Sequence, residues 1–268
     1  MTKDNGESQE LSVVLATFDE EKNLPDCLDS VKNLTNEIII VDGSSTDKTV
    51  GIAKNYGAKV VVAANLPNFH INKQKAIDLA TKDWVFQLDA DERVTPELQK
   101  EIKEKIGNWE LGIGNSVNGY WIPRKNWFLG RFLMKGGQYP DYTLRLYRRG
   151  KGRLPQKDVH EQAQVEGQVG YLKESLHHYP YKDFASYYFK WNRYNDLLAS
   201  QIKESLKDKS SPVKIVYGVG YLIIKPVHWF LTTYIRHKGF MDWWPGFVFS
   251  FFSALRFPVS YLRYLRIL

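Results

Sequence analysis

An apolar run, Trp84-Val85-Phe86-Gln87-Leu88, delivers the chain directly into three carboxylates, Asp89, Asp91 and Glu92. Two aromatics and a β-branched residue in so short a run predict a buried strand, so the acids are expected at its carboxyl end. Clustered carboxylates are costly unless something cationic sits among them. A hard divalent metal meets that need, because it prefers carboxylate oxygen and shares its other positions with phosphates. On an extended segment, Asp-x-Asp puts both side chains on one side, where one can hold metal and the other a ligand hydroxyl. An isolated Asp-x-Asp is equally a solvated acidic turn, so the preceding chain decides.

That preceding chain alternates. Leu11 to Ala16 reads as a first strand, followed by a polar loop and a helix through Leu24, Leu28 and Val31. Glu37 to Val41 is a second strand, ending at Asp42-Gly43-Ser44-Ser45-Thr46-Asp47 before a helix that Gly57 closes. Ala58 to Ala64 is a third strand, and Asn72 to Lys82 a third helix leading to Asp89. Short connections between alternating elements predict an α/β fold with a mostly parallel, Rossmann-like central sheet. Ligands of such sheets sit at the carboxyl ends of the strands, where Thr17, Asp42, Asp89 and Asp91 all fall.

Neither a P-loop nor a Gly-x-Gly-x-x-Gly follows any expected strand, so a bound nucleotide would depend on carboxylates, a metal and scattered basic residues. The one cysteine, Cys27, excludes an intramolecular disulfide, and no Cys/His set has zinc spacing. Residues 1–10 are polar, expected to be flexible and without a secretory signal. The formal charge of +7 is lopsided: Pro212 to Leu268 holds seven Lys/Arg against Asp242 alone, and 15 of the 38 aromatic residues.

Three passages in order, Ala16-Thr17-Phe18-Asp19-Glu20-Glu21-Lys22-Asn23-Leu24, Ile40-Val41-Asp42-Gly43-Ser44-Ser45-Thr46-Asp47 and Leu88-Asp89-Ala90-Asp91-Glu92, resemble the family 2 glycosyltransferases of the GT-A fold. Arg145-Leu146-Tyr147-Arg148, Val159-His160-Glu161 and Leu176-His177-His178 extend the resemblance to the bacterial group that modifies the lipopolysaccharide inner core. It implies a GT-A domain over residues 11–205, with a donor half (11–106) and an acceptor half (107–205). It further implies that Thr17, Phe18 and Glu20 frame a base and ribose and that Asp42 reads a pyrimidine, favouring a UDP-sugar, UDP-glucose among the candidates. Asp89 would face the ribose or donor sugar, Asp91 would bind Mn2+ or Mg2+, and Lys73 would lie near the donor.

Inverting transfer needs a carboxylate to take the acceptor's proton. Glu161 matches the family's position for that base, with Asp141 as the competing carboxylate and His160 as a residue that orients the base or approaches the metal. Arg145 and Arg148, placed on one strand face, are expected to reach the diphosphate. Of His177 and His178, neighbours on a strand and therefore on opposite faces, at most one can ligate metal. The loop holding Trp127, Phe128, Gly130, Gly136, Gly137 and Tyr139 suits a sugar platform or a lid.

After a helix from Asp183 to Ser205, residues 206–268 are expected to form an amphipathic, aromatic-rich membrane-interface region. No window there reaches twenty clean apolar residues, and Arg256, Ser260 and Arg263 make one cationic stripe on a greasy final helix, with a kink near Pro258. Such a helix suits an anionic bilayer surface. Nucleic acid is not an expected partner, because the residues between the charges are aliphatic and aromatic. The acceptor would be a lipid-linked glycan or lipopolysaccharide at the cytoplasmic face of a bacterial inner membrane, with an oligomer allowed. The rival readings are a membrane-bound scaffold with an inactive transferase-like domain and a sugar nucleotidylyltransferase; the latter lacks its glycine-rich N-terminal loop.

Overall fold

The computed structural model describes residues 10–110, 117–156 and 162–267, so nearly all of the expected flexible N-terminus lies outside it. Two compact units account for the chain: residues 1–124 with 141–178, and residues 125–140 with 179–268.

In the first unit, β1 (Leu11–Thr17), β2 (Glu37–Asp42), β3 (Lys59–Val62) and β4 (Trp84–Leu88) form a parallel block in the order β3-β2-β1-β4. The helices between them are α1 (Leu24–Asp29), α2 (Thr49–Asn55) and α3 (His70–Asp78). Period-two alternation sends successive side chains to opposite faces. Val13, Leu15, Ile38, Ile40, Phe86 and Leu88 pack with Leu24, Leu28 and Ala53 of α1 and α2. Val14, Ile39, Val41 and Val85 pack with Ala76 and Ile77 of α3. Both faces of β1, β2 and β4 are covered, which is why these three read as continuous apolar runs, whereas β3 at the sheet edge is largely exposed.

The chain continues through β5 (Glu92–Val94), α4 (Pro96–Glu110), β6 (Val117–Phe128), β7 (Arg131–Leu133) and β8 (Asp141–Arg148). A hairpin of β9 (Gly152–Arg153) and β10 (Gln164–Val165) follows, then β11 (Gln168–Tyr171) and β12 (Leu176–His178). β8 runs antiparallel to β4 and to β6, making the sheet mixed. Opposite β8, Tyr120 pairs with Leu146 and Trp121 with Leu144, so Arg145 is the extra residue of a β-bulge. A bulge re-aims its side chain and breaks alternation.

In the second unit, α5 (Phe184–Leu206) opens with a reciprocal capping box between Asp183 and Ser186. A helical run Ser211–Arg236, with π-turns over Gly220–Ile224 and Leu231–Arg236, leads through a 3-10 turn at Gly239–Asp242 into the helix Trp243–Arg266. At the turn Lys238 and Trp243 hold left-handed φ values of 57° and 61°. Asp242, 1% exposed, accepts the Lys135 N–H at 2.7 Å and lies 3.5 Å from Arg131.

The structure bears on two expectations for this unit. The run Ser211–Arg236 is long enough and, at a mean hydropathy of 1.3 over its best window, apolar enough to cross a membrane by length and composition; 11% of that window is buried. Lys214, Lys225 and Arg236 still keep it short of twenty uninterrupted apolar residues. The cationic stripe is also internal. Ser260 is fully buried against Asn195, Arg263 bonds the Asn192 carbonyl and Asp196, and Arg256 lies over the Trp229 and Phe257 rings. Polar residues of α5 partner Ser260 and Arg263, and aromatic rings partner Arg256, so the face that looked solvated is a helix–helix contact.

Candidate active site

Three parallel strands end together. Thr17 pairs in register with Asp42, and Leu15 with Leu88, so the Thr17, Asp42 and Asp89 side chains leave the same sheet edge. Asp42 is fully buried and fully engaged: Thr17 Oγ1 donates to it at 2.8 Å, and Ser45 donates through its N–H at 2.7 Å and its Oγ at 2.6 Å. Ser45 Oγ also accepts the Asp19 N–H, and Asp19 Oδ1 accepts the Thr46 N–H, both at 2.8 Å. The two loops after β1 and β2 are thus laced together, with Asp19 and Ser44 left-handed at φ 53° and 64°. Phe18 stands 43% exposed above them. Glu20 takes the Asn23 side-chain N–H at 2.7 Å and donates its own N–H to Thr49.

Residues 89–91 form a turn rather than a continuation of β4, because the Glu92 N–H returns to the Asp89 carbonyl at 2.9 Å. The two aspartates accordingly part company, correcting the expectation that they share one side of an extended segment. Asp89 meets Lys73 at 2.5 Å and Arg145 at 2.6 Å, one cation on each carboxylate oxygen. Asp91 faces His178, Oδ2 to Nε2 at 3.4 Å.

Behind them Glu92, completely buried, joins the parts. Its Oε2 accepts the Asp89 N–H at 2.9 Å, and its Oε1 lies 3.0 Å from Arg145 and 3.2 Å from Arg124. Arg124 in turn donates to Asp141 Oδ2 from two nitrogens, at 2.8 and 3.0 Å. Burial pushes the Asp89 carboxyl up, but the Arg145 and Lys73 charges more than reverse this and hold it well below the usual carboxylate range. Burial likewise lowers the Arg145 guanidinium, and Asp89 with Glu92 outweighs it and raises it. Lys73, Asp89, Arg124, Thr143, Arg145 and Gln162 line a cavity of about 230 Å³.

Most of the expected donor residues therefore meet at one edge. Lys73, which helix statistics alone would leave in solvent, is buried and ion-paired. Its neighbour Gln74 instead fixes the Leu154 N–H at 2.7 Å. Arg148 does not join Arg145: it pairs opposite Trp84, at the far end of β4, and regular period-two alternation already sends residues three apart to opposite faces, so the spacing itself argues against a shared face. Asp141 Oδ2 is occupied by Arg124, a poor arrangement for a proton acceptor. Glu161 and His160 lie outside the described residues. Glu92 and Arg124 were missed as site residues. The carboxylate directly after Asp-x-Asp was a signal for the first; the second depends on the β6–β8 register across residues 125–140.

For a metal, the described residues offer Asp91 and His178, and no cluster of three or more acidic, histidine or cysteine groups. Carboxylate and imidazole at 3.4 Å are two donors of the kind a divalent ion accepts, and they fit one that draws its other positions from elsewhere. Charge agrees: Asp89, Asp91, Glu92 and Asp141 outnumber Lys73, Arg124 and Arg145 by one, which leaves the cluster able to accept a further cation.

The profile of glycosyl transferase family 2 matches residues 12–179. Among curated proteins, the lipopolysaccharide core biosynthesis glycosyltransferase LpsC of Rhizobium meliloti (strain 1021) is 30% identical over 265 residues, 92% of this chain and 91% of LpsC. An uncharacterized glycosyltransferase of Rickettsia typhi is 43% identical over 95 residues, covering 35% of this chain and 32% of its own length. Among solved structures, S. aureus TarS 1-349 in complex with UDP aligns at a TM-score of 0.48 and 16% identity, over 88% of this chain and 75% of that one. Glucosyl-3-phosphoglycerate synthase from Mycobacterium tuberculosis, in complex with Mn2+ and UDP-glucose, aligns at 0.34 and 23%, over 46% and 44%. These scores are too low to transfer a site, and the geometry above stands by itself. With the family profile spanning more than half of the chain and LpsC aligned along nearly all of it, the chain belongs to glycosyl transferase family 2.

Proposed function

We propose that this glycosyltransferase is an inverting, metal-dependent enzyme that moves a sugar from a UDP-sugar, UDP-glucose first among the candidates, to a lipid-linked glycan of the lipopolysaccharide core type at the cytoplasmic face of a membrane. One observation carries the donor half: Asp89 is held by Lys73 and Arg145 just past the end of β4, beside the strand ends that carry Thr17 and Asp42. The likeness to LpsC along nearly the full chain supports the acceptor class.

In this reading Thr17, Phe18, Glu20 and Asp42 frame the uridine, and Asp89 takes a ribose or sugar hydroxyl. Lys73 and Arg145 turn from Asp89 toward the diphosphate as it arrives. Asp91 and His178, with His160, would hold a divalent ion, and such an ion would supply positive charge to the departing diphosphate. Glu161 removes the acceptor hydroxyl's proton; that oxygen bonds to the anomeric carbon from the face opposite the diphosphate. The old bond breaks as the new one forms, and its electron pair leaves with UDP, inverting the configuration. Asp141 holds Arg124 in place. Catalysis belongs to residues 11–205, and residues 206–268 bring it to the bilayer, supported by the exposed aliphatic side chains of Ser211–Arg236.

Incubating the purified protein with radiolabelled UDP-glucose, Mn2+ and a lipopolysaccharide-core lipid extract tests this. Label should pass to the lipid fraction, and Glu161→Gln should abolish transfer while UDP still binds. An inactive scaffold predicts no transfer from any UDP-sugar, and a nucleotidylyltransferase predicts UDP-glucose made from UTP and glucose 1-phosphate.

A further inference from the structure

The second unit carries a groove of about 470 Å³ between the Ser211–Arg236 and Trp243–Arg266 helices. Its walls include Leu222, Pro226, Val227, Phe230, Phe251 and Pro258, and every lining residue is apolar. Leu222, Val227 and Phe251 are 40%, 56% and 44% exposed, so water meets hydrocarbon here along both helices. The volume falls within the range of about 300–1,000 Å³ usual for small-ligand sites, but the walls lack the few polar groups that orient a nucleotide or sugar.

Charge decides what covers it. Of the tail's basic residues, Lys214, Arg236, Lys238 and Arg266 form no ion pair among the described residues, while Lys225 and Arg256 lie over aromatic rings. The one acid, Asp242, is buried beside Arg131. A second copy of this chain would bring the same positive surface against itself, and like charges across an interface oppose association. An anionic lipid supplies both the missing charge and the hydrocarbon.

We propose that this groove holds one acyl chain of an anionic bilayer phospholipid. The inference rests on the membrane reading given above and sharpens it: the two helices take up a chain between them rather than resting on the surface through scattered side chains. Pro226 and Pro258, one on each wall, present neither an N–H nor a long side chain to the space, and π-turns flank Lys225–Phe230 on both sides.

The full-length protein is mixed with phosphatidylcholine vesicles, with and without about a quarter phosphatidylglycerol, the latter carrying a diazirine in one acyl chain, then illuminated and mapped by mass spectrometry. Adducts are expected to concentrate on Leu222, Val227, Phe230 and Phe251. Val227→Asp, exposed and compatible with folding, should lower their yield roughly tenfold, the value of one aliphatic side chain's burial. Flotation with the vesicles should persist through the remaining apolar surface. Flotation with adducts spread evenly over Ile215, Val216, Ile223 and Trp243 would overturn the groove while leaving the membrane reading intact. No flotation would overturn both. A stable dimer in which Val227→Asp dissociates the subunits would assign the groove to self-association and overturn the lipid. Transfer activity is scored separately and bears on neither.

Discussion

Glu92 is the residue on which the charged cluster turns, and Glu92→Gln isolates its contribution. The side chain is fully buried, faces two guanidinium groups at 3.0 and 3.2 Å and caps the Asp89 N–H. Glutamine keeps the volume and can still accept that N–H, but it removes the negative charge and turns an amide toward Arg145 and Arg124. Removing one partner of a buried ion pair costs about 3–5 kcal/mol. Here each arginine keeps a second carboxylate, Asp89 or Asp141, so the low end, about 3 kcal/mol, applies. For a unit of this size that lowers the Tm by roughly 6–12 °C. Differential scanning calorimetry of E92Q beside Glu104→Gln, an exposed helix position expected within about 0.5 kcal/mol of the parent, makes the measurement. A loss for E92Q no larger than the control's would refute the cluster as a structural unit.

Glu37 should govern part of the acid limb of stability. Burial raises its carboxyl, but hydrogen bonds from Ser12 and Thr81 outweigh this and lower it. The unfolded chain then binds the proton more readily, so its contribution is present above the ordinary glutamate range and lost as pH falls through the folded value. Urea unfolding from pH 6 down should fall less steeply for Glu37→Gln than for the parent; parallel curves would refute the assignment. Cys27 is fully buried, its thiol pushed up by burial, so iodoacetamide should leave it untouched in the native protein and label it on unfolding. Gly246→Ala should disrupt the second unit, because the new Cβ would overlap the Gly239 carbonyl oxygen and backbone cannot yield cheaply. Loss of about 1–3 kcal/mol or more in its unfolding transition is expected; an unchanged transition would contradict that packing.

The donor half of this fold is legible in the sequence because its signals are local. Apolar runs mark β1, β2 and β4, polar residues stand just past each, and parallel topology brings the ends together. That reasoning reaches Thr17, Asp42 and Asp89 without any long-range contact. It fails where partnership depends on register. Nothing local makes Arg145 a bulge residue, pairs Arg124 with Asp141 across residues 125–140, or turns residues 89–91 so that Asp91 leaves Asp89 and meets His178. Lys73 shows the same limit: its burial follows from Asp89 lying beside α3, not from its place in a helix. In the tail, composition identified apolar bulk and excess charge, but the stripe on the last helix was read without α5, whose Asn192, Asn195 and Asp196 claim it.

The central claim, a metal-assisted UDP site built on Asp91, is tested most directly by calorimetric titration of UDP into the purified protein with and without Mn2+, repeated with GDP and on Asp91→Ala. The account predicts UDP binding that strengthens with Mn2+, GDP binding that is weaker, and loss of the metal dependence in the D91A protein with its fold intact. Folded parent protein that binds neither nucleotide, with or without the metal, would contradict it.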